Sequence, residues 1–140
     1  MLWTLSQIAE LIQARLEGDD RQVHHITQDS REVRDGSLFV PLKAARDGHE
    51  FASLAHEAGA VGSFWASQQK GPEGLSLLHV DDGLLALQRL GAVASKRHQG
   101  RRIAITGSVG KTTTKDMLAH ILAQHHDLHA ARSSFNNHIG

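Results

Sequence analysis

Ile103-Ala104-Ile105-Thr106-Gly107-Ser108-Val109-Gly110-Lys111-Thr112-Thr113 runs from a short apolar stretch through two spaced glycines into Lys-Thr-Thr. The apolar stretch, Arg102 to Thr106, reads as a buried strand. Beyond it, Met117, Leu118, Ile121 and Leu122 recur at helical spacing, which predicts a helix from Lys111 to about Gln124. Glycines between a strand and a helix let the backbone curl until successive N–H groups face a phosphate. The helix N-terminus adds a dipole favourable to the anion. In this context Lys111 is expected to reach the β- and γ-phosphates, and Thr112 to place its hydroxyl on Mg²⁺. Gly107, Ser108, Val109, Gly110, Lys111, Thr112 and Thr113 are thus the expected ATP-binding residues, with Lys111 and Thr112 the catalytic ones. The general pattern has a glycine five residues before Gly110, where Ile105 stands; the glycine at 107 gives the shorter G-x-x-G-K-T-T form. Glycines that serve only to turn the chain are the alternative, disfavoured by the Lys-Thr-Thr that follows.

Composition limits what surrounds this loop. A chain of 140 residues allows one ordinary domain, or a small one and part of a second. At 40% hydrophobic and 21% charged it can build a core. Lys+Arg and Asp+Glu balance at 15 each, leaving no electrostatic footprint for nucleic acid or an anionic membrane. Trp3, Trp65 and the phenylalanines are too scattered for a base-stacking platform. With no cysteine there is neither a disulfide framework nor a thiolate metal site. The start, Met1 to Gln7, lacks the basic and apolar regions of a signal peptide, and no run is long enough to span a membrane. The expectation is a soluble, cytoplasmic protein. Eleven histidines invite a metal site, but no clustered carboxylate joins them. His120, His125 and His126 equally suit a helix C-terminus.

Upstream, Thr4 and Gln7 form a capping box before Leu5, Ile8, Leu11, Ile12 and Leu16, predicting a first helix that stops at Gly18. Strands are expected at Val23–Gln28, Ser37–Leu42, Val61–Ala66 and Leu75–Val80. Pro41 marks an edge or an end of its strand. His49 to Ala58 reads as a helix with Phe51, Leu54, Ala55 and Ala58 inward. A longer one starts at Leu84, capped by Asp81 or Asp82, with Leu84, Leu87, Leu90, Gly91 and Ala94 on one face. Leu128–Ala131 is a further candidate strand.

The polar segment Lys96 to Arg101 suggests a domain boundary. Residues 1–98 form a small mixed α/β domain, and 99–140 the first strand-loop-helix unit of a P-loop ATPase domain. Such a domain needs several units to cover its sheet, so a fragment is expected.

Thr106 to Lys115 resembles the ATP loop of the Mur ligases, the amide-forming enzymes of peptidoglycan precursor synthesis. Asp29-Ser30-Arg31-Glu32-Val33-Arg34-Asp35-Gly36-Ser37-Leu38-Phe39-Val40 and Asp47-Gly48-His49-Glu50-Phe51 resemble their amino-terminal domain. Ser134-Phe135-Asn136-Asn137-His138-Ile139-Gly140 resembles the type that adds D-alanyl-D-alanine (MurF). The resemblance implies that residues 1–98 hold the UDP part of a UDP-N-acetylmuramoyl-tripeptide. Ser30 and Arg31, then Asp47, Gly48 and His49, match loops near that group, and Asn136 and Asn137 a segment on the muramoyl-peptide side. ATP and Mg²⁺ are the implied cofactors, UDP-N-acetylmuramoyl-tripeptide and D-Ala-D-Ala the implied partners, with no nucleic acid or membrane among them. The family's later catalytic residues have no position here, so the missing remainder of the ligase is itself an implied partner, and this chain alone is not expected to catalyse ligation. By residue type alone, Asp29-Ser30-Arg31 could be a capped turn, Asp47-Gly48-His49 a helix entry and Asn136-Asn137 an ordinary loop.

Overall fold

The computed structural model describes residues 3–42 and 47–131. The chain divides into two compact units, Met1–Arg97 and His98–Gly140.

The first unit begins with β1 (Trp3–Thr4) and α1 (Leu5–Ile12), followed by β2 (Arg15–Glu17), β3 (Gln22–Val23) and β4 (His25–Thr27). A 3₁₀ turn (Ser30–Glu32) leads to β5 (Ser37–Phe39), and a second (Gly48–Phe51) to α2 (Ala52–Glu57). β6 (Ala60–Trp65), β7 (Ser76–His79) and α3 (Gly83–Arg97) complete it. The main sheet has the order β2-β7-β6-β5-β4. β4 to β7 run parallel, and β2 lies antiparallel on β7 with Leu16 opposite Leu78. β1 and β3 form a separate antiparallel pair.

A parallel sheet must be covered on both faces, and strand alternation supplies both sets of apolar side chains. Leu38, Phe64 and Leu78 join one cluster with Leu5, Ile8 and Ile12 of α1 and Ala86 and Leu90 of α3. Their neighbours Phe39, Trp65 and Leu77 join the other, with Ala52 and Ala55 of α2. Because four strands share one direction, the segments that follow β4, β5, β6 and β7 all start at one edge of the sheet. In open α/β sheets ligands bind outside that carboxyl edge.

The Thr4–Gln7 capping box is present: Gln7 N–H donates to Thr4 Oγ1 at 3.4 Å and Thr4 N–H to Gln7 Oε1 at 3.0 Å. The helix it starts ends earlier than its periodicity predicts. Gln13 closes it in the left-handed conformation (φ 59°), well before Gly18. Leu16 still packs on the same core, but from β2, because pairing with β7 supplies partners that another helical turn would not. Pro41 lies past the end of β5, an interior strand, so it removes no ladder bond. Leu54 and Ala58 point outward; Ala52 and Ala55 face the core of α2. On α3, capped by Asp82 through Leu85 N–H (2.9 Å), the buried positions are Ala86 and Leu90, whereas Gly91 and Ala94 are exposed.

The second unit contains α4 (Lys111–Leu122). Neither Arg102–Thr106 nor Leu128–Ala131 forms a strand, contrary to the periodicity. A strand exists only by sharing its N–H and C=O groups with a neighbour. Among the described residues of this unit no ladder forms, and Ile103 is 61% exposed.

Candidate functional site

At the end of β4, Thr27 is buried and its Oγ1 accepts from Asp29 N–H at 3.1 Å, turning the chain into the first 3₁₀ turn. Asp29 caps that turn by accepting from Arg31 N–H at 2.9 Å. The same carboxylate takes a two-point contact from the Arg31 guanidinium: Nε donates to Oδ1 at 2.9 Å and Nη2 to Oδ2 at 2.6 Å. The Arg31 guanidinium, through these hydrogen bonds, and its own backbone N–H hold the Asp29 carboxyl down at about 2, well below the usual carboxylate range. The Arg31 side chain is 87% exposed, so its remaining N–H groups stay accessible to an anion. Ser30 opens the turn beside it.

Past β5, Asp47 caps the second turn by accepting from His49 N–H at 3.1 Å. Gly48 N–H donates to Leu42 O at 3.2 Å, and a Cβ at Gly48 would sit 2.8 Å from Leu42 N and O. Only glycine fits there, because backbone meets backbone. The His49 side chain is 7% exposed. Its Nδ1 lies 2.5 Å from Asp47 Oδ1, and its Nε2 accepts from Ala66 N–H at 3.1 Å, just past the end of β6. A backbone N–H can only donate, so Nε2 carries no proton and Nδ1–H donates to Asp47. Trp65 meets the ring edge-on, centroids 4.9 Å apart, and its Nε1 donates to Gln69 O at 2.9 Å.

In the second unit, Gly110 is the N-cap of α4 at φ 80°, a left-handed turn that glycine adopts without strain, and no side chain caps the helix. The N–H groups of the first turn therefore have no side-chain acceptor, the arrangement that suits an incoming anion. Lys111 Nζ donates to Gly107 O at 2.5 Å, with Ser108 O at 3.5 Å, so its ammonium lies over the loop. Ser108, Val109, Thr112 and Thr113 are exposed. This backbone and this lysine fit a phosphate chain, and Thr112 is the hydroxyl residue of the first turn that would serve a divalent cation bound with it. Beside the loop is a groove of about 290 Å³ with apolar walls of Ile103, Ile105, Leu118 and Leu122.

Ser30 and Arg31 thus stand with Asp47, Gly48 and His49 at the carboxyl edge of neighbouring strands. The phosphate-loop residues stand together in the other unit. Asn136 and Asn137 lie outside the described residues. Sequence reasoning read Asp29 only as part of a capped turn and missed its fork with the Arg31 guanidinium, and it missed the Ala66 N–H altogether. Asp29, two residues before an arginine, carried a readable signal, an Asx-type turn. The Ala66 N–H carried none, since it is 17 residues from His49.

A mostly parallel sheet with polar loops at its carboxyl edge, followed by a glycine-lysine loop opening a helix, defines an α/β protein. Residues 105–140 match the Mur ligase middle domain, and the chain is a Mur ligase homologue. Its relatives include several of the MurF type and one UDP-N-acetylmuramoyl-L-alanyl-D-glutamate--2,6-diaminopimelate ligase, from Geobacter sulfurreducens, 35% identical across 86% of this chain and 24% of that one. The chain is 39% identical to the UDP-N-acetylmuramoyl-tripeptide--D-alanyl-D-alanine ligase of Bacillus subtilis, across 98% of this chain and 31% of that one. A crystal structure of MurF from Acinetobacter baumannii superposes with a TM-score of 0.80 at 31% identity, covering 98% of this chain and 31% of the other. MurF ligase from Thermotoga maritima, solved in complex with ADP, gives 0.59 at 29% identity over 74% of this chain and 24% of that one. The chain therefore spans about a third of the length of the relatives it matches. No helix among the described residues is long and apolar enough to cross a membrane.

Proposed function

We propose that this chain is the amino-terminal part of a cytoplasmic, ATP-dependent amide ligase that adds D-Ala-D-Ala to UDP-N-acetylmuramoyl-tripeptide. The observation that carries the reading is similarity to MurF ligases along 98% of the chain, with the phosphate loop open at the start of α4. The first unit serves the UDP-bearing substrate through Ser30, Arg31 and the Asp47–His49 turn. The second holds the phosphates of ATP on the backbone of Gly107–Thr113 and Lys111 Nζ, with Thr112 serving Mg²⁺ and Asn136 and Asn137 facing the peptide.

In this reaction a carboxylate oxygen of the tripeptide attacks the γ-phosphorus and ADP leaves. The amine of D-Ala-D-Ala then attacks the acyl carbon and phosphate leaves. The chain contributes position and charge: Lys111 and the N–H groups of α4 offset the negative charge of the transferring phosphoryl group. This polypeptide alone is not expected to complete the reaction.

The test is ligation with isotope-labelled substrates, run with the intact gene product and with the 140-residue chain. Labelled D-Ala-D-Ala should enter the UDP-linked product only with the intact protein, and only with ATP and Mg²⁺. Transfer of single amino acids and never of D-Ala-D-Ala would sink the assignment.

A further inference from the structure

We propose that His49 is a positioning residue, not a ligand: its neutral, Nδ1-protonated ring ties the Asp47–Phe51 turn to Ala66, just past β6, and makes the two one wall at the sheet's carboxyl edge. The class of ligand that this wall receives, a UDP-linked substrate, rests on the function proposed above.

Three observations support this. Both ring nitrogens are committed, Nδ1 to Asp47 at 2.5 Å and Nε2 to Ala66 N–H at 3.1 Å. The side chain is 7% exposed and packed edge-on against Trp65, so no face of the ring is open to a ligand. The elements it joins are themselves anchored: Gly48 N–H donates to Leu42 O just past β5, and Trp65 Nε1 donates to Gln69 O in the following loop. Gly83, at the start of α3, lies against Pro41 O, so the segment after β7 meets the same wall. A turn that needed only a helix cap would stop at the Asp47 carboxylate. The imidazole adds a cross-link between segments that share no local hydrogen-bonding pattern. Charging the ring would leave Ala66 N–H facing a second donor, so the strut works only as the neutral tautomer.

The test uses the 140-residue chain labelled with ¹⁵N and ¹³C on histidine. The His49 ring should show a protonated Nδ1 and an unprotonated, hydrogen-bonded Nε2, unchanged when UDP-N-acetylmuramoyl-tripeptide is titrated in. His49→Ala should lower affinity for that substrate about 10-fold, the scale expected when binding groups are misplaced rather than removed. His49→Gln, whose amide oxygen can still accept from Ala66, should recover much of it and restore the Ala66 amide resonance. A proton on Nε2, a ring that changes state on binding, or an alanine variant with wild-type affinity would overturn the proposal. If the wild-type chain binds no UDP substrate, the ligand class fails instead, and the ring's tautomer with the Ala66 resonance in His49→Gln still decides the strut.

Discussion

The first unit covers its sheet on both faces with its own helices, whereas α4 in the second leaves Met117 and Ile121 exposed at 61% and 57%. The difference separates two kinds of information in one chain. A phosphate loop is a local object: a glycine at φ 80°, an uncapped helix and a lysine on the loop's carbonyls require only neighbours in sequence. A strand is a shared object, and Arg102–Thr106 has the side chains of one without the ladder.

The largest effect expected from this contrast is on stability. Phe64 is 1% exposed and fills the α1–α3 side of the sheet. Phe64→Ala should cost about 3–5 kcal/mol in urea unfolding of the 140-residue chain, the range for truncating a buried aromatic. Ile121→Ala, on the open face of α4, should change stability by no more than about 0.5 kcal/mol. Comparable losses would mean that α4 has a core of its own, and the contrast would break. In the intact protein the Ile121 cost should rise.

Second comes a separation of chemistry from stability. Lys111→Ala removes the ammonium over the loop and almost no buried surface. In the intact protein it should lower kcat for ligation about 100-fold, the cost of losing one charge-stabilising donor. The unfolding midpoint of the 140-residue chain should not move. A midpoint shift without a loss of rate would recast Lys111 as a structural link to Gly107 O and Ser108 O.

Third, Gly48→Ala forces a Cβ to within 2.8 Å of Leu42 N and O. Backbone cannot rotate away as a side chain can, so a cost of about 1–3 kcal/mol is expected. Chemical-shift changes should centre on Leu42, His49 and Ala66. A neutral substitution would show that the Asp47–His49 turn is looser than its hydrogen bonds imply.

These cases show what the sequence made legible. The capping box at Thr4 and Gln7 and the apolar runs of β6 and β7 could be read directly, because propensity, spacing and tertiary role agreed. Leu16 misled because a helix face and a short strand can feed the same core; only the β7 partner, some sixty residues on, decides between them. His49 was named as a candidate site residue from the Asp-Gly-His motif, without its second hydrogen bond. Its spacing read as the start of a helix and the resemblance put it in a substrate loop, but nothing local announced the Ala66 N–H that occupies its second nitrogen.

The smallest effect concerns Asp29, and it tests whether the exposed turn of the first unit is as well ordered as its core. Its carboxyl is held down to about 2 against an ordinary 3.8, first by the Arg31 side chain and then by the Arg31 backbone N–H. The folded state therefore binds the proton less readily than the unfolded chain. The pair's contribution is fully present above about pH 4 and is lost as pH falls through about 2. Arg31 is 87% exposed, so water and salt screen the pair, and its contribution to stability should be the smallest of those considered. The sharper readout is the Asp29 carboxyl carbon itself, which should titrate near 2 and move toward the ordinary value in Arg31→Ala. An ordinary midpoint in the unsubstituted chain would mean the guanidinium is not held as a fork. The turn would then present a freely moving charge to an anion, and the first unit would be ordered only where its apolar side chains order it.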